Sequence, residues 1–327
     1  MREGQRSGAT LPHEGTPGGG HSRPFLIVIT GPTGVGKTDL AIRLAERFDG
    51  EIVSADSMQV YRYLDIGTAK PSPEDRARVP HHLIDVVDPD EEFNAALFVE
   101  QAGAAIRSLH GRGKRAFVVG GTGLYLAALI GGLLEAPGAD GTLRDAYRDE
   151  AARHGKEYLY ERLKRIDPAA AGSIHPNDLV RTIRALEVVE RTGRSIIAIQ
   201  GAHRFGDSAY DCVKIGLTID RNILYGRIND RVDRMMADGL VEEGERLLEM
   251  GYDEETLPLQ AMTYRNVLSC IRGDLSREDM VRLVKRDTRH YARRQLTWFR
   301  RDSDIKWFAP QDENMISRAV ESGVPGL

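Results

Sequence analysis

The sequence predicts an α/β fold, a parallel sheet covered by helices, with a helical domain inserted into it. Three observations carry that reading. The apolar run Phe25-Leu26-Ile27-Val28-Ile29-Thr30 feeds Gly31-Pro32-Thr33-Gly34-Val35-Gly36-Lys37-Thr38, and a helical pattern follows, so the G-x-x-x-x-G-K-[ST] phosphate loop stands in the strand-to-helix context it needs. A second apolar run, Arg115-Ala116-Phe117-Val118-Val119, enters the glycine turn Gly120-Gly121-Thr122-Gly123 and another helical segment, which puts two such turns at the same end of one sheet. From about Gly131 to Gly206 strand signals stop and helical periods replace them, as in Leu179, Ile183, Leu186 and Val189 behind the start signal Asn177-Asp178. The core is therefore phosphate-loop NTPase-like and discontinuous in sequence.

Taken in order, Met1 to about Arg23 is rich in Gly, Ser, Pro and His without apolar periodicity, which predicts a flexible extension over 1–23. The core takes 24–130 and 207–310, the helical insertion 131–206, and 311–327 reads as a C-terminal tail. Within the core the pattern predicts a helix from Lys37 to Phe48, a strand from Glu51 to Ala55, and an irregular stretch through Lys70 and Pro71. Helices follow over Ala95 to Leu109 and Leu124 to Ile130. The strand-like Val213 to Ile219 returns the chain to the sheet, helices run to about Arg301, and Ile305-Lys306-Trp307-Phe308 makes a last short strand.

A phosphate loop binds a phosphorylated ligand for a physical reason: glycines let backbone N–H groups ring an anion, and the helix N-terminus adds its dipole. Lys37 supplies a point charge and the Thr38 hydroxyl a magnesium ligand. A chain of 327 residues with 41% hydrophobic content suits a soluble globular protein. No apolar stretch nears the roughly 20 residues of a membrane span, and no signal-peptide core follows the N-terminal charges, so the reading is cytoplasmic with no membrane partner. Cys212 and Cys270 alone support neither a disulfide framework nor a zinc site. The net charge of -4 argues against a uniformly basic nucleic-acid coat, although the C-terminal part of the chain is basic.

Beyond the loop, Ser54-Ala55-Asp56-Ser57-Met58-Gln59-Val60-Tyr61-Arg62 runs into Leu64-Asp65-Ile66-Gly67-Thr68-Ala69-Lys70-Pro71. With Val79-Pro80-His81-His82, Gly120-Gly121-Thr122-Gly123-Leu124-Tyr125, His175-Pro176-Asn177-Asp178 and Arg293-Arg294-Gln295-Leu296-Thr297-Trp298-Phe299, the chain strongly resembles the tRNA isopentenyltransferase family from Phe25 to Phe308. The resemblance implies transfer of a dimethylallyl group from dimethylallyl diphosphate to N6 of the adenosine beside the anticodon. It implies magnesium as cofactor and the tRNA anticodon stem-loop as partner; the expected state is a monomer. An adenine amine is a poor nucleophile that must lose a proton as the C–N bond forms, so Asp56 is the candidate base. A cap on the next segment, or a water-mediated magnesium holder, is the other reading of an aspartate there. By family correspondence Arg227 clamps the diphosphate, with Arg231 one turn on able to share or exchange that role, and Thr122 serves the reacting centre. Alone, Thr122 reads as a helix N-cap.

The target base must leave its stack to be alkylated, which calls for grip on both sides of it. Arg265, Arg272, Arg282, Lys285, Arg286, Arg289, Arg293, Arg294, Arg300 and Arg301, interleaved with His290, Tyr291, Trp298 and Phe299, form one candidate grip; a solvated helix face is the plain alternative. Arg181 and Arg184 on the insertion, with Arg144 and Gln260, form the other expected RNA contacts. Ser57, Met58 and Gln59 are expected to read the target base or its neighbour. Two positions depart from the family: Thr263 stands where glycine is common, which predicts a shifted loop, and Val180 replaces a polar residue. The competing readings are an adenylate isopentenyltransferase acting on free nucleotides, a small-molecule kinase, and a non-catalytic RNA-binding module that has kept the fold.

Overall fold

The computed structural model describes residues 23–133, 136–202 and 208–324. The expected N-terminal extension, apart from Arg23, and the start of the second core segment at 207 lie outside the described residues. Six strands, β1 (Phe25–Thr30), β2 (Gly50–Ser54), β3 (His81–His82), β4 (Arg115–Gly120), β5 (Asp211–Leu217) and β6 (Lys306–Phe308), form one sheet in the order β3-β2-β4-β1-β5-β6. Every pairing is parallel. The apolar run of β1 is continuous because both its faces are covered: Leu26 and Val28 enter one core, Ile27 and Ile29 the other.

The helices of the first core segment are α1 (Lys37–Arg47), α2 (Pro73–Arg78), α3 (Ala95–Gly111) and α4 (Gly123–Gly131). The insertion holds α5 (Gly141–His154), α6 (Lys156–Ile166), α7 (Pro168–Ser173), α8 (Leu179–Thr192) and α9 (Ile196–Ala202). After β5 come α10 (Arg221–Ala237), α11 (Leu240–Glu249), α12 (Met262–Ile271), α13 (Arg277–Phe299) and, past β6, α14 (Glu313–Gly323). The insertion packs on its own apolar cluster, which includes Tyr147, Leu159, Leu163, Ile183 and Leu186.

Three elements differ from the expectation. The segment read as a C-terminal tail contains α14, whose Ile316 and Val320 are fully buried in the core that holds Val213 and Ile215, while Glu313 and Glu321 pair with Arg43 and Arg47 of α1. β5 stops at Leu217 instead of Ile219, because Asp220 already caps α10 through the N–H groups of Asn222 and Ile223. Between the irregular stretch, which ends at Pro71, and the helix expected from Ala95, where no element was expected, lie α2, opened by Ser72 as N-cap with Pro73 in its first turn, and the two-residue edge strand β3.

Glu243 of α11, 1% exposed, ties that irregular stretch down. Its carboxylate accepts the N–H groups of Asp65 (2.9 Å), Ile66 (2.8 Å) and Gly67 (3.0 Å) and the hydroxyl of Tyr264 (2.6 Å). A buried carboxylate with four donors is satisfied; the donors without it are not. Glu243→Ala is therefore expected to cost about 3 kcal/mol or more, since several buried donors lose their acceptor at once. Urea unfolding measures it, and a midpoint equal to that of the parent protein would show that the carboxylate does not hold the loop.

Candidate active site

The phosphate loop wraps the Lys37 ammonium, which donates to the carbonyls of Gly31 (3.0 Å) and Pro32 (2.9 Å). Burial brings its pKa down to about 8, with the Asp56 charge opposing the shift and that of Arg231 adding to it. Thr38 follows in the first turn of α1, half-buried. Both arginines of α10 reach the loop. Arg227, exposed at the rim, donates to the Val35 carbonyl (3.2 Å). Arg231 lies deeper and donates to the Thr33 hydroxyl (3.2 Å) and the Thr68 carbonyl (3.3 Å). Burial lowers the Arg231 pKa and Asp56 raises it.

Asp56 follows β2. Its Oδ1 accepts the N–H groups of Met58 (2.9 Å) and Gln59 (3.3 Å), so the capping expected of an aspartate here is real for that oxygen. Among the described residues, no protein donor hydrogen-bonds Oδ2. Thr122 leads into α4 without a side-chain cap bond; its hydroxyl accepts the Ser57 N–H (3.0 Å) and donates to the Ser57 hydroxyl (3.3 Å). The turn it belongs to sits hard against its neighbours, for a Cβ on Gly120 would lie 2.1 Å from the Ala55 carbonyl oxygen.

Two further site residues come from α13: Gln295, which the sequence left without a role, and Tyr291, which it placed only in the candidate RNA grip. Gln295, 6% exposed, accepts the Thr33 N–H through Oε1 (2.8 Å) and donates through Nε2 to the Gly121 carbonyl (2.9 Å). The Tyr291 hydroxyl lies against Thr122 and Gln295; burial and the nearby Asp56 charge push its pKa up to about 12. The available signal was a tyrosine and a glutamine four apart, which places them on one helix face.

Several expected RNA contacts are occupied inside the protein. Gln59 accepts from the Ser54 hydroxyl and donates to the carbonyls of Thr68 and Ala69, so it braces the loop after β2 instead of presenting its amide to a base. Arg144 and Arg184 both bind the fully buried Glu187, which also accepts the Asp140 N–H. Burial acts to raise the Glu187 pKa, and the two guanidinium groups hold it below its usual value. These arginines, one on α5 and one on α8, serve the insertion's own core, a correction that spacing along either helix could not reveal. Met58 packs against the larger core, and the N–H of Ser57 is held by Thr122.

Others face outward. Arg181 is exposed beside Asp178, and Val180 next to it is 79% exposed. Gln260 donates to the Glu255 carbonyl. Thr263 lies in the first turn of α12 without a positive φ, so the backbone here does not require glycine. Arg265, Arg294 and His290 line a cleft of about 350 Å³ with Met262, Arg286 and Asp287. In the basic run, Arg272, Arg282, Lys285 and Arg286 are neutralised by acidic partners, and Arg289 binds Asn229. Arg293, Arg294, Arg300 and Arg301 are exposed and carry no ion pair among the described residues; Arg294 lies over the Tyr291 ring at 5.7 Å.

A family model described as IPP transferase matches residues 59–302, and one described as isopentenyl transferase matches residues 24–83. A tRNA dimethylallyltransferase 2 of Syntrophus aciditrophicus is 53% identical over 300 residues, 92% of this chain and 96% of its own length. A tRNA dimethylallyltransferase of Geobacter sulfurreducens is 52% identical over 286 residues, 88% of this chain and 92% of its own. Among solved structures, the full-length tRNA isopentenylpyrophosphate transferase of Bacillus halodurans is 39% identical with a TM-score of 0.68, covering 92% of this chain and 98% of its own. A eukaryotic dimethylallyltransferase acting on tRNA is 30% identical with a TM-score of 0.75, covering 91% of this chain and 77% of its own. Agreement of this extent, in sequence and in fold, carries one conclusion: the chain belongs to the IPP transferase family, that of the tRNA dimethylallyltransferases.

Proposed function

We propose that this protein modifies tRNA, transferring a dimethylallyl group from dimethylallyl diphosphate to N6 of the adenosine on the 3′ side of the anticodon and releasing diphosphate. The carrying observation is Asp56: one carboxylate oxygen is anchored to the backbone, the other has no protein donor among the described residues, and the same charge acts on Lys37 and Arg231 at the phosphate loop. N6 attacks C1 of the allyl group, the C1–O bond breaks with its electron pair leaving on the diphosphate, and the N6 proton passes to Asp56. Lys37, Arg227 and Arg231 hold the departing charge. Thr122 and Tyr291 stand beside the carboxylate and bound the acceptor side of the site.

Magnesium fits the donor set. Thr38 would hold it through one hydroxyl next to Lys37, which suits an ion that takes few protein ligands. It would neutralise leaving-group charge. Arg181, Arg265, Arg293 and Arg294 are the exposed arginines we assign to the anticodon stem-loop, with the protein acting as a monomer in the cytoplasm. No described helix is long and apolar enough to cross a membrane. The relatives named above are tRNA enzymes, which disfavours the free-nucleotide, kinase and non-catalytic alternatives.

The test incubates the protein with unmodified tRNA, dimethylallyl diphosphate and magnesium, with AMP and ATP as competing acceptors, and reads products by mass spectrometry. One dimethylallyl mass gain on the anticodon loop is expected; gain on AMP alone, or ATP turnover without transfer, would overturn the reading. In the same assay Asp56→Ala is expected to lose at least about 100-fold in kcat, as loss of a general base does, with tRNA affinity intact. Arg293→Ala combined with Arg294→Ala should weaken tRNA binding and reduce the salt slope by about one per lost phosphate contact. An unchanged slope would make this face of α13 a merely solvated one.

Lys37 links diphosphate binding to pH. Below pH of about 8 the ammonium is already protonated in the free protein, and above it the anion must recruit a proton, so pyrophosphate affinity should fall as pH rises through about 8. Calorimetry on the parent and Lys37→Arg separates this from titration of the ligand, because arginine keeps its charge. Identical pH profiles for the two would refute the linkage.

A further inference from the structure

We propose that Gln295 is a positioning residue of the transfer, a brace that holds the phosphate loop at a set distance from the turn carrying Thr122; this rests on the function proposed above. One buried amide serves both turns. Its oxygen takes the Thr33 N–H at 2.8 Å and its nitrogen gives to the Gly121 carbonyl at 2.9 Å. Thr33 belongs to the loop that would cradle the diphosphate, and its hydroxyl also accepts from Arg231. Gly121 immediately precedes Thr122, whose hydroxyl holds Ser57 in the turn after Asp56.

The β1–β4 ladder ends at Thr30 and Gly120. Beyond it, the Gln295 amide is the hydrogen-bonded bridge between the two turns among the described residues. The fit is close, since a Cβ on Gly121 would lie 2.1 Å from Nε2. A glutamate of the same length has no donor for the Gly121 carbonyl while ionised, and a leucine fills the space without either bond. The brace sits on α13, so the helix whose outer face carries Arg293 and Arg294 fixes leaving group and base relative to each other from its inner face. A displacement of about 1 Å between reacting groups is enough to cost on the order of 100-fold in rate.

The test compares the parent with Gln295→Leu and Gln295→Glu in kcat, KM and melting temperature from about pH 6 to about pH 9. The leucine variant should lose kcat on the order of 100-fold at every pH, with KM for tRNA unchanged. The glutamate variant should be as poor at high pH and recover as pH falls, because the protonated carboxyl again donates to the Gly121 carbonyl. Burial and the Asp56 charge raise the pKa of such a carboxyl, whereas Arg294, Arg231 and Lys37 act against that; Tyr291 is neutral throughout this range. A glutamate profile parallel to that of the parent, or a loss confined to KM for tRNA, overturns the proposal.

Gly121→Ala keeps the test open if Gln295→Leu and Gln295→Glu fail to fold, because its methyl group displaces the amide, and the smaller Gln295→Ala serves as its background. It should lower kcat alone yet add nothing in the Gln295→Ala background; additive losses would overturn the brace. A parent protein that makes no product on tRNA would defeat the proposed function and not the brace. Affinity for inorganic pyrophosphate then decides: about tenfold weaker binding by Gln295→Leu is expected from a loop no longer pre-organised, and equal affinity would overturn the brace.

Discussion

The backbone of Gly120, where β4 ends, lies so close to the Ala55 carbonyl that a side chain there would have to displace the exit of β2. Two backbone bonds lock the contact: the Ala55 N–H gives to Val119, and the Thr122 N–H gives to Ala55. Because β1 pairs with β4 on its other side, the exits of three parallel strands are forced into one small volume. Each exit delivers a different group: β1 the phosphate-loop motif with Lys37, β2 a carboxylate, β4 a hydroxyl. Parallel pairing puts all three at the same edge of the sheet, and that geometry is what makes a two-substrate site possible here.

Electrostatics within that volume follows from the crowding. Lys37 and Arg231 are both partly buried cations, with their pKa values pulled down by desolvation, and loop carbonyls together with Asp56 compensate them. For the diphosphate proposed as ligand, this charge is desolvated and already aimed, which is where fixed charges act most strongly. The same logic of satisfied burial holds away from the site. Glu243 fastens the loop whose Thr68 carbonyl receives Arg231 and Gln59, and Glu187 gathers Arg144 and Arg184 inside the insertion. In both places the carboxylate stabilises chiefly because removing it would strand its partners.

Much of this was legible in the chain. The uninterrupted apolar runs of β1 and β4 announce strands covered on both faces, and the glycine-rich exits announce the turns between strand and helix. The phosphate loop, Asp56 and Thr122 lie in short contiguous motifs, so their placement needed only local reading. The apolar face of α14 was equally local but short, and β3 spans two residues, too few to show a period. Arginine roles were not legible. Arg144, Arg184, Arg293 and Arg294 are alike in type and helical setting, yet two bind a buried carboxylate and two face solvent.

Sequence alone thus determined the parallel phosphate-loop core, the helical insertion, the base candidate and the family, because those depend on periodicity and on motifs written in consecutive residues. Only the tertiary structure decided which cations are free and which are spent, how Arg227 and Arg231 divide the rim and the depth of the loop, and that Gln295 joins two turns far apart in the chain. The physical reason is that a charge or an amide acquires its role from whatever lies within hydrogen-bond reach. For these residues every such partner is brought in by folding.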